Sequence, residues 1–173
     1  RYIGDWSSDV CSSDLVIDIS RFVTVTDFRQ VHASGILGVV QKATEGGNYI
    51  DPTCAPRRPA AEAAGLLWGT YHFGTGQMPG ERQAAFYLSV TRPGPRTLMA
   101  LDLELNENNP RNSMRLDQAE AFVRAAFSQV LARRPTPEET RLGQDFLGGG
   151  AKDRARENFV LVLLNHNDFV TVR

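Results

Sequence analysis

The sequence predicts an α/β fold assembled from successive βα units, and three observations carry that prediction. From Val16 onward, short apolar runs alternate with segments of helical periodicity. Gly and Pro punctuate the junctions between them. The apolar runs end in acids or aromatics, at the strand ends where parallel sheets and barrels carry their sites.

Taken in order, LVIDIS reads as a first strand and TDFRQVHASG as a helix closed by Gly35. ILGVVQKATEG is a second strand running into a loop. DPTCAPRRPAAEAAG opens with turn chemistry, carries its prolines early and ends in an Ala-rich helix stopped by Gly65. LLWGTYHF is a third strand, GTGQMPG a loop and ERQAAFYLSV a third helix. After the hinge TRPGPRT comes a fourth strand, LMALDLEL, then the loop NENNPRNSM and the long helix RLDQAEAFVRAAFSQVLA. Four βα units are half the count of a (β/α)8 barrel, so the expected fold is the N-terminal half of a TIM-like barrel. Beyond it, residues 123–173 are expected to form a short all-α tail. There Thr136, Pro137 and Glu139 spell a capping box, Leu142 and Phe146 share a helix face, and the glycines at 148–150 make a break before one more apolar helix and an extended end.

The first fifteen residues, RYIGDWSSDVCSSDL, fit none of this. DWSSDVCSSDL resembles one reading frame of a DNA adapter common in sequencing libraries, so Arg1 to Leu15 are expected to be translated adapter and a disordered leader. Without them the net charge moves from -1 to +1, because Arg1, Asp5, Asp9 and Asp14 drop out. Neither value suggests a nucleic-acid partner. With Cys11 in the leader, only Cys54 remains, which supports no disulfide framework and no Cys-based metal site. No apolar run approaches the roughly 18 residues of a membrane helix. The expectation is a monomeric globular protein, without membrane insertion, metal or cofactor.

The chemistry concentrates in LMALDLEL. Residues two apart on a strand share a face, so Asp102 and Glu104 project together, their Cα atoms about 6.6 Å apart. Leu101, Leu103 and Leu105 are expected to pack on the other side. Two carboxylates on one face of an apolar strand repel each other and lose solvent, which raises the pKa of one of them. Asp18, alone among Val16, Ile17 and Ile19, points away from its apolar neighbours; by itself such an acid is more often satisfied by a backbone N–H than functional. Glu45 ends the second strand, and Tyr71 and His72 the third. His72 is expected to be a satisfied core residue or a support behind the site rather than a metal ligand.

VIDIS, QKATEGGNYIDP, AAEAAGLLWGTYHF, QAAFYL and LMALDLEL, in that order and spacing, resemble the N-terminal half of glycoside hydrolase family 25 lysozymes over about residues 16–122. The resemblance implies cleavage of the β-1,4 bond between N-acetylmuramic acid and N-acetylglucosamine in peptidoglycan glycan strands, by a secreted or cell-wall-associated enzyme. It matches Glu104 to the general acid, Asp102 to its partner, Asp18 to the first-strand acid and Glu45 to the acid of the second-strand motif. Glu45 and Tyr71 would bind the substrate, Tyr71 by lining the sugar subsite. A muramidase can use the substrate's own acetamido group as nucleophile, so no protein nucleophile is named. The later strands of that family do not follow. The stretch from about Phe122 onward resembles the C-terminal end of the bacterial domain of unknown function 1553 family, which makes a misjoined chimera the expected origin. Two other outcomes stay open: a non-enzymatic fragment of that second family, and a remnant that binds peptidoglycan without hydrolysing it.

Overall fold

The computed structural model describes residues 15–94, 96–139 and 141, together with the backbone of Val160–Val162. The adapter-like leader, Leu142, Phe146 and the glycines at 148–150 lie outside the described residues.

Four parallel strands form the body of the sheet: β1 (Val16–Ile19), β2 (Gly38–Glu45), β4 (Leu67–Phe73) and β5 (Leu98–Asp102), adjacent in that order. A two-residue strand, β3 (Tyr49–Ile50), folds back antiparallel on the end of β2. Between the parallel strands run α1 (Phe28–Ala33), α2 (Cys54–Ala63) and α3 (Gly80–Thr91), and α4 (Leu116–Val130) follows β5. The local signals act as the sequence predicts. Asp27 caps α1 by accepting from the Arg29 N–H at 2.9 Å, and Gly35 and Gly65 take positive φ just beyond α1 and α2. The capping box also forms, with Glu139 N–H donating to Thr136 Oγ1 and Thr136 N–H donating back to the Glu139 carboxylate.

Three expectations are corrected. The second helix starts at Cys54, earlier than expected, and contains both Pro56 and Pro59. Pro56 sits in the first turn, where no donor is needed, and Pro59 forgoes one bond in the interior. The tail is not all-α. Val160–Val162, a β-branched apolar stretch, forms β6 and pairs antiparallel with β5, whose outer edge would otherwise be unpaired. Leu105 is 51% exposed rather than packed, because β5 ends at Asp102 and strand alternation fades beyond Leu103.

The two faces of the sheet differ. Ile19, Val39, Gln41, Thr70, Met99 and Leu101 are buried on the side covered by α2, α3 and α4. Polar residues on this face are fully paired. His72 accepts at Nδ1 from Thr44 Oγ1 at 2.7 Å and donates from Nε2 to Gln83 Oε1 at 3.1 Å. That tautomer follows from the amide oxygen of Gln83, which can only accept, and which also takes the Thr75 N–H. Gln83 Nε2 donates to the carbonyls of Thr75 and Met78, and Gln118 Nε2 of α4 donates to those of Gly76 and Met78. The loop from Gly74 to Pro79 is thereby pinned from two helices. The His72 ring stacks on Phe122 with centroids 5.1 Å apart.

Candidate active site

The opposite face carries the acids. Register places Glu45, Phe73 and Asp102 side by side across β2, β4 and β5, and Lys42, Tyr71 and Ala100 one row below. Asp18 lies on the same face of β1, beside Val40. Glu104 stands two residues past the end of β5, with Leu103 buried between the two acids. Asp18, Glu45, Tyr71, Asp102 and Glu104 are all partly exposed. The structure therefore gathers every site residue read from the sequence toward one end of one face and leaves His72 behind it.

A β-bulge at Ala43 shapes this arrangement. In a regular strand, positions 42 and 45 point to opposite faces. The bulge shifts the register by one residue, so Lys42 pairs with Tyr71 while Glu45 pairs with Phe73. Both side chains then share the acid face, and the Lys42 ammonium sits 2.7 Å from Glu45 Oε2. It also lies 4.7 Å from the centroid of Phe73 and 5.7 Å from that of Tyr49. Lys42 is the residue that sequence reasoning missed, and no periodicity announces a bulge.

Asp51 was read as turn chemistry and does more than that. Buried to 1% exposure, it accepts from Thr53 N–H and Thr53 Oγ1 with one oxygen and from the Arg21 N–H with the other. It ties the end of β1 to the start of α2. Arg57 completes that tie by donating to the carbonyls of Ser20 and Val23 and to Gln41 Oε1.

Burial and the neighbouring Glu104 raise the Asp102 carboxyl to about 7, against a smaller lowering by Lys42. Burial also raises Asp18, and it raises the Tyr71 hydroxyl, helped by the charges of Asp102 and Asp18. The raised member of the expected pair is thus Asp102. Behind the sheet, burial lowers His72 to about 4.

These two shifts oppose each other in stability. His72 is neutral when folded, so stability it contributes above about pH 6.5 is lost as pH falls toward 4, by about 3 kcal/mol. Asp102 keeps its proton when folded, so its contribution is present below about pH 4 and is lost as pH rises toward 7. Between pH 4 and 6.5 the two slopes offset. Urea unfolding across this window is expected to show weak pH dependence in the parent chain. In Asp102→Asn, stability should fall steeply on acidification; a slope like the parent's would contradict these assignments.

Comparison with known proteins bears on this face. The family model for glycosyl hydrolases family 25 matches residues 17–133, from β1 through the whole of α4. The chain is 30% identical over 106 residues to the N,O-diacetylmuramidase of Chalaropsis sp, a match covering 54% of this chain and 48% of that protein. It thus spans about half the length of that curated relative. A family 25 lysozyme structure from Aspergillus fumigatus is 29% identical, with a TM-score of 0.60, covering 69% of this chain and 61% of that one. A bacterial lysozyme structure from Streptomyces coelicolor is 28% identical, with a TM-score of 0.57 and coverages of 68% and 57%. With its parallel sheet, its acids at one end of one face and a family match across more than half its length, the chain belongs to glycosyl hydrolases family 25.

Proposed function

We propose that this chain carries the catalytic carboxylates of a peptidoglycan hydrolase, an N-acetylmuramidase that cleaves β-1,4 bonds between N-acetylmuramic acid and N-acetylglucosamine. The observation that carries the reading is the Asp102–Glu104 pair at the C-terminal end of β5, with a proton held there to about pH 7. Glycoside hydrolysis needs a protonated carboxyl at the leaving oxygen and negative charge near the oxocarbenium-like centre. Glu104 is assigned the first task. Its proton passes to the glycosidic oxygen as the C1–O bond breaks, and the substrate's acetamido oxygen closes on C1. Water then opens that ring while the Glu104 carboxylate takes a proton from it, which restores the starting state. Asp102 shares the pair's single proton with Glu104. Once that proton has passed to the glycosidic oxygen, Asp102 holds negative charge with Asp18 beside the reacting sugar. Glu45, paired with Lys42, binds substrate at the rim, and Tyr71 lines the sugar subsite.

The finer architecture belongs to the same proposal. Strand order β1-β2-β4-β5 never reverses, α2 and α3 contact one face, and α4 reaches the same face through the Phe122 stack on His72, as in half of a TIM-like barrel. A separate origin for the tail from residue 123 onward rests on sequence resemblance; α4 runs unbroken from Leu116 to Val130 across that point. Among the described residues, no helix is long and apolar enough to cross a membrane and no cluster of His, Cys, Asp and Glu could hold a metal ion. Action as a monomer at the cell wall, outside the cell, completes the reading.

Release of soluble muropeptides from purified peptidoglycan, followed against pH, tests it. Turnover that needs a proton on the carboxyl pair is present below about pH 7 and falls about tenfold per unit above it. A rate that stays level to pH 9 would contradict the assignment, and binding without turnover would select the peptidoglycan-binding alternative.

A further inference from the structure

We propose that Arg21 anchors a carboxylate of the glycan substrate, its guanidinium held ready by the rings of Phe22 and Tyr49. The inference rests on the muramidase reading and extends it to a residue that no part of that reading uses. Arg21 follows β1 at the same strand end that carries the acids. Its backbone N–H donates to Asp51 Oδ2 at 2.9 Å, which fixes its position against the start of α2. The guanidinium carbon lies 4.7 Å from the Phe22 centroid and 5.5 Å from that of Tyr49. The other face of the site repeats the pattern, since Lys42 lies near both Tyr49 and Phe73. Phe22, Arg21, Tyr49, Lys42 and Phe73 thus alternate ring and cation along the rim, from the end of β1 across β3 to the end of β4.

The two cations are not equivalent. Lys42 is neutralised by Glu45 at 2.7 Å. The Arg21 guanidinium makes no hydrogen bond and no ion pair among the described residues, and Arg21 is exposed. Beside it, Phe22 leaves 79% of its surface in solvent. That ring presents a flat apolar surface beside the guanidinium, and the CH face of a pyranose is suited to stack on it. A planar guanidinium with free donors takes a carboxylate in two parallel hydrogen bonds. Muramoyl residues supply both chemistries: a sugar ring and a lactyl side chain that ends in a carboxylate or in a stem peptide bearing carboxylates. An anionic strand entering a face that holds Asp18, Asp102 and Glu104 is repelled there. A free cation at the rim draws the carboxylate away from those acids and fixes which sugar meets Glu104.

The test is calorimetric titration of the full chain carrying Glu104→Gln, so that ligands are bound and not cut, with three tetrasaccharides of like length: a stem-bearing muropeptide, the same glycan stripped to its free lactyl carboxylates, and neutral chitotetraose. At low salt at least one carboxylate-bearing ligand should bind about tenfold tighter than chitotetraose. The tighter of the two identifies the source of the carboxylate. Arg21→Gln should erase the preference and leave chitotetraose affinity and melting temperature little changed, because the Asp51 tie uses only the Arg21 backbone N–H and the guanidinium's ring contacts lie at the exposed rim. Arg21→Lys should keep part of the preference. Equal affinity for all three ligands, or a preference that survives Arg21→Gln, overturns the proposal while the muramidase reading stands. Binding of none of them overturns both.

Discussion

Glu104→Gln is expected to lower peptidoglycan turnover by about three orders of magnitude and to leave the fold intact. The substitution keeps the shape of the side chain and removes only its ability to give and retake a proton, a task worth about 10² to 10⁴ in rate. Glu104 lies beyond the last residue of β5, so no ladder bond of that strand depends on it. A second readout separates loss of chemistry from loss of structure. The Glu104 charge is the second-largest cause of the raised Asp102 carboxyl, after burial. In the variant Asp102 should titrate lower than about 7, visible by NMR of the carboxyl carbon. Full turnover in Glu104→Gln, or an unmoved Asp102, would sink the assignment.

Gly80→Ala is expected to destabilise the fold by about 3 kcal/mol, at the upper end of what overpacking costs. Gly80 opens α3 where it meets α4, and an added Cβ would fall 1.8 Å from the Gln118 carbonyl oxygen and 2.8 Å from Phe122 N. Those neighbours are backbone atoms of a helix and cannot rotate away. The contact matters to the site because Gln118 holds the loop carbonyls of Gly76 and Met78, and Phe122 carries the stack on His72. Gly94→Ala is the control: its nearest neighbour would be Thr97 Oγ1 at 4.0 Å, and a change within about 0.5 kcal/mol is expected. Chemical unfolding of the two variants side by side gives the answer, and equal midpoints would contradict the close crossing of α3 and α4.

The sequence made the site legible where a local rule decides it. Period-two alternation places Asp102 and Glu104 together, and burial of Leu101 and Leu103 behind them follows from the same rule. Asp18, Glu45 and Tyr71 were found as acids or aromatics at the ends of apolar runs, and His72 as a core residue, which its bonds to Thr44 and Gln83 bear out. Lys42 was lost because the Ala43 bulge breaks the alternation that would have assigned its face. β3 is too short to leave a pattern. The start of α2 was misplaced because prolines in a first turn look the same as prolines in a loop. β6 went unread because a short apolar run fits a strand and a buried helix alike, and only its pairing with β5 decides. The partnership of Gly80 with Gln118 joins two helices far apart in the chain, and nothing local encodes it.

The central claim is that the carboxylates of this face cut glycan strands at muramic acid. Its most direct test is to digest purified peptidoglycan, reduce the new sugar ends with borohydride and identify them by mass spectrometry. The account predicts new reducing ends that are N-acetylmuramic acid, absent when Glu104→Gln replaces the parent chain. Reducing ends that are N-acetylglucosamine, or muramic acid ends that persist in Glu104→Gln, would contradict it.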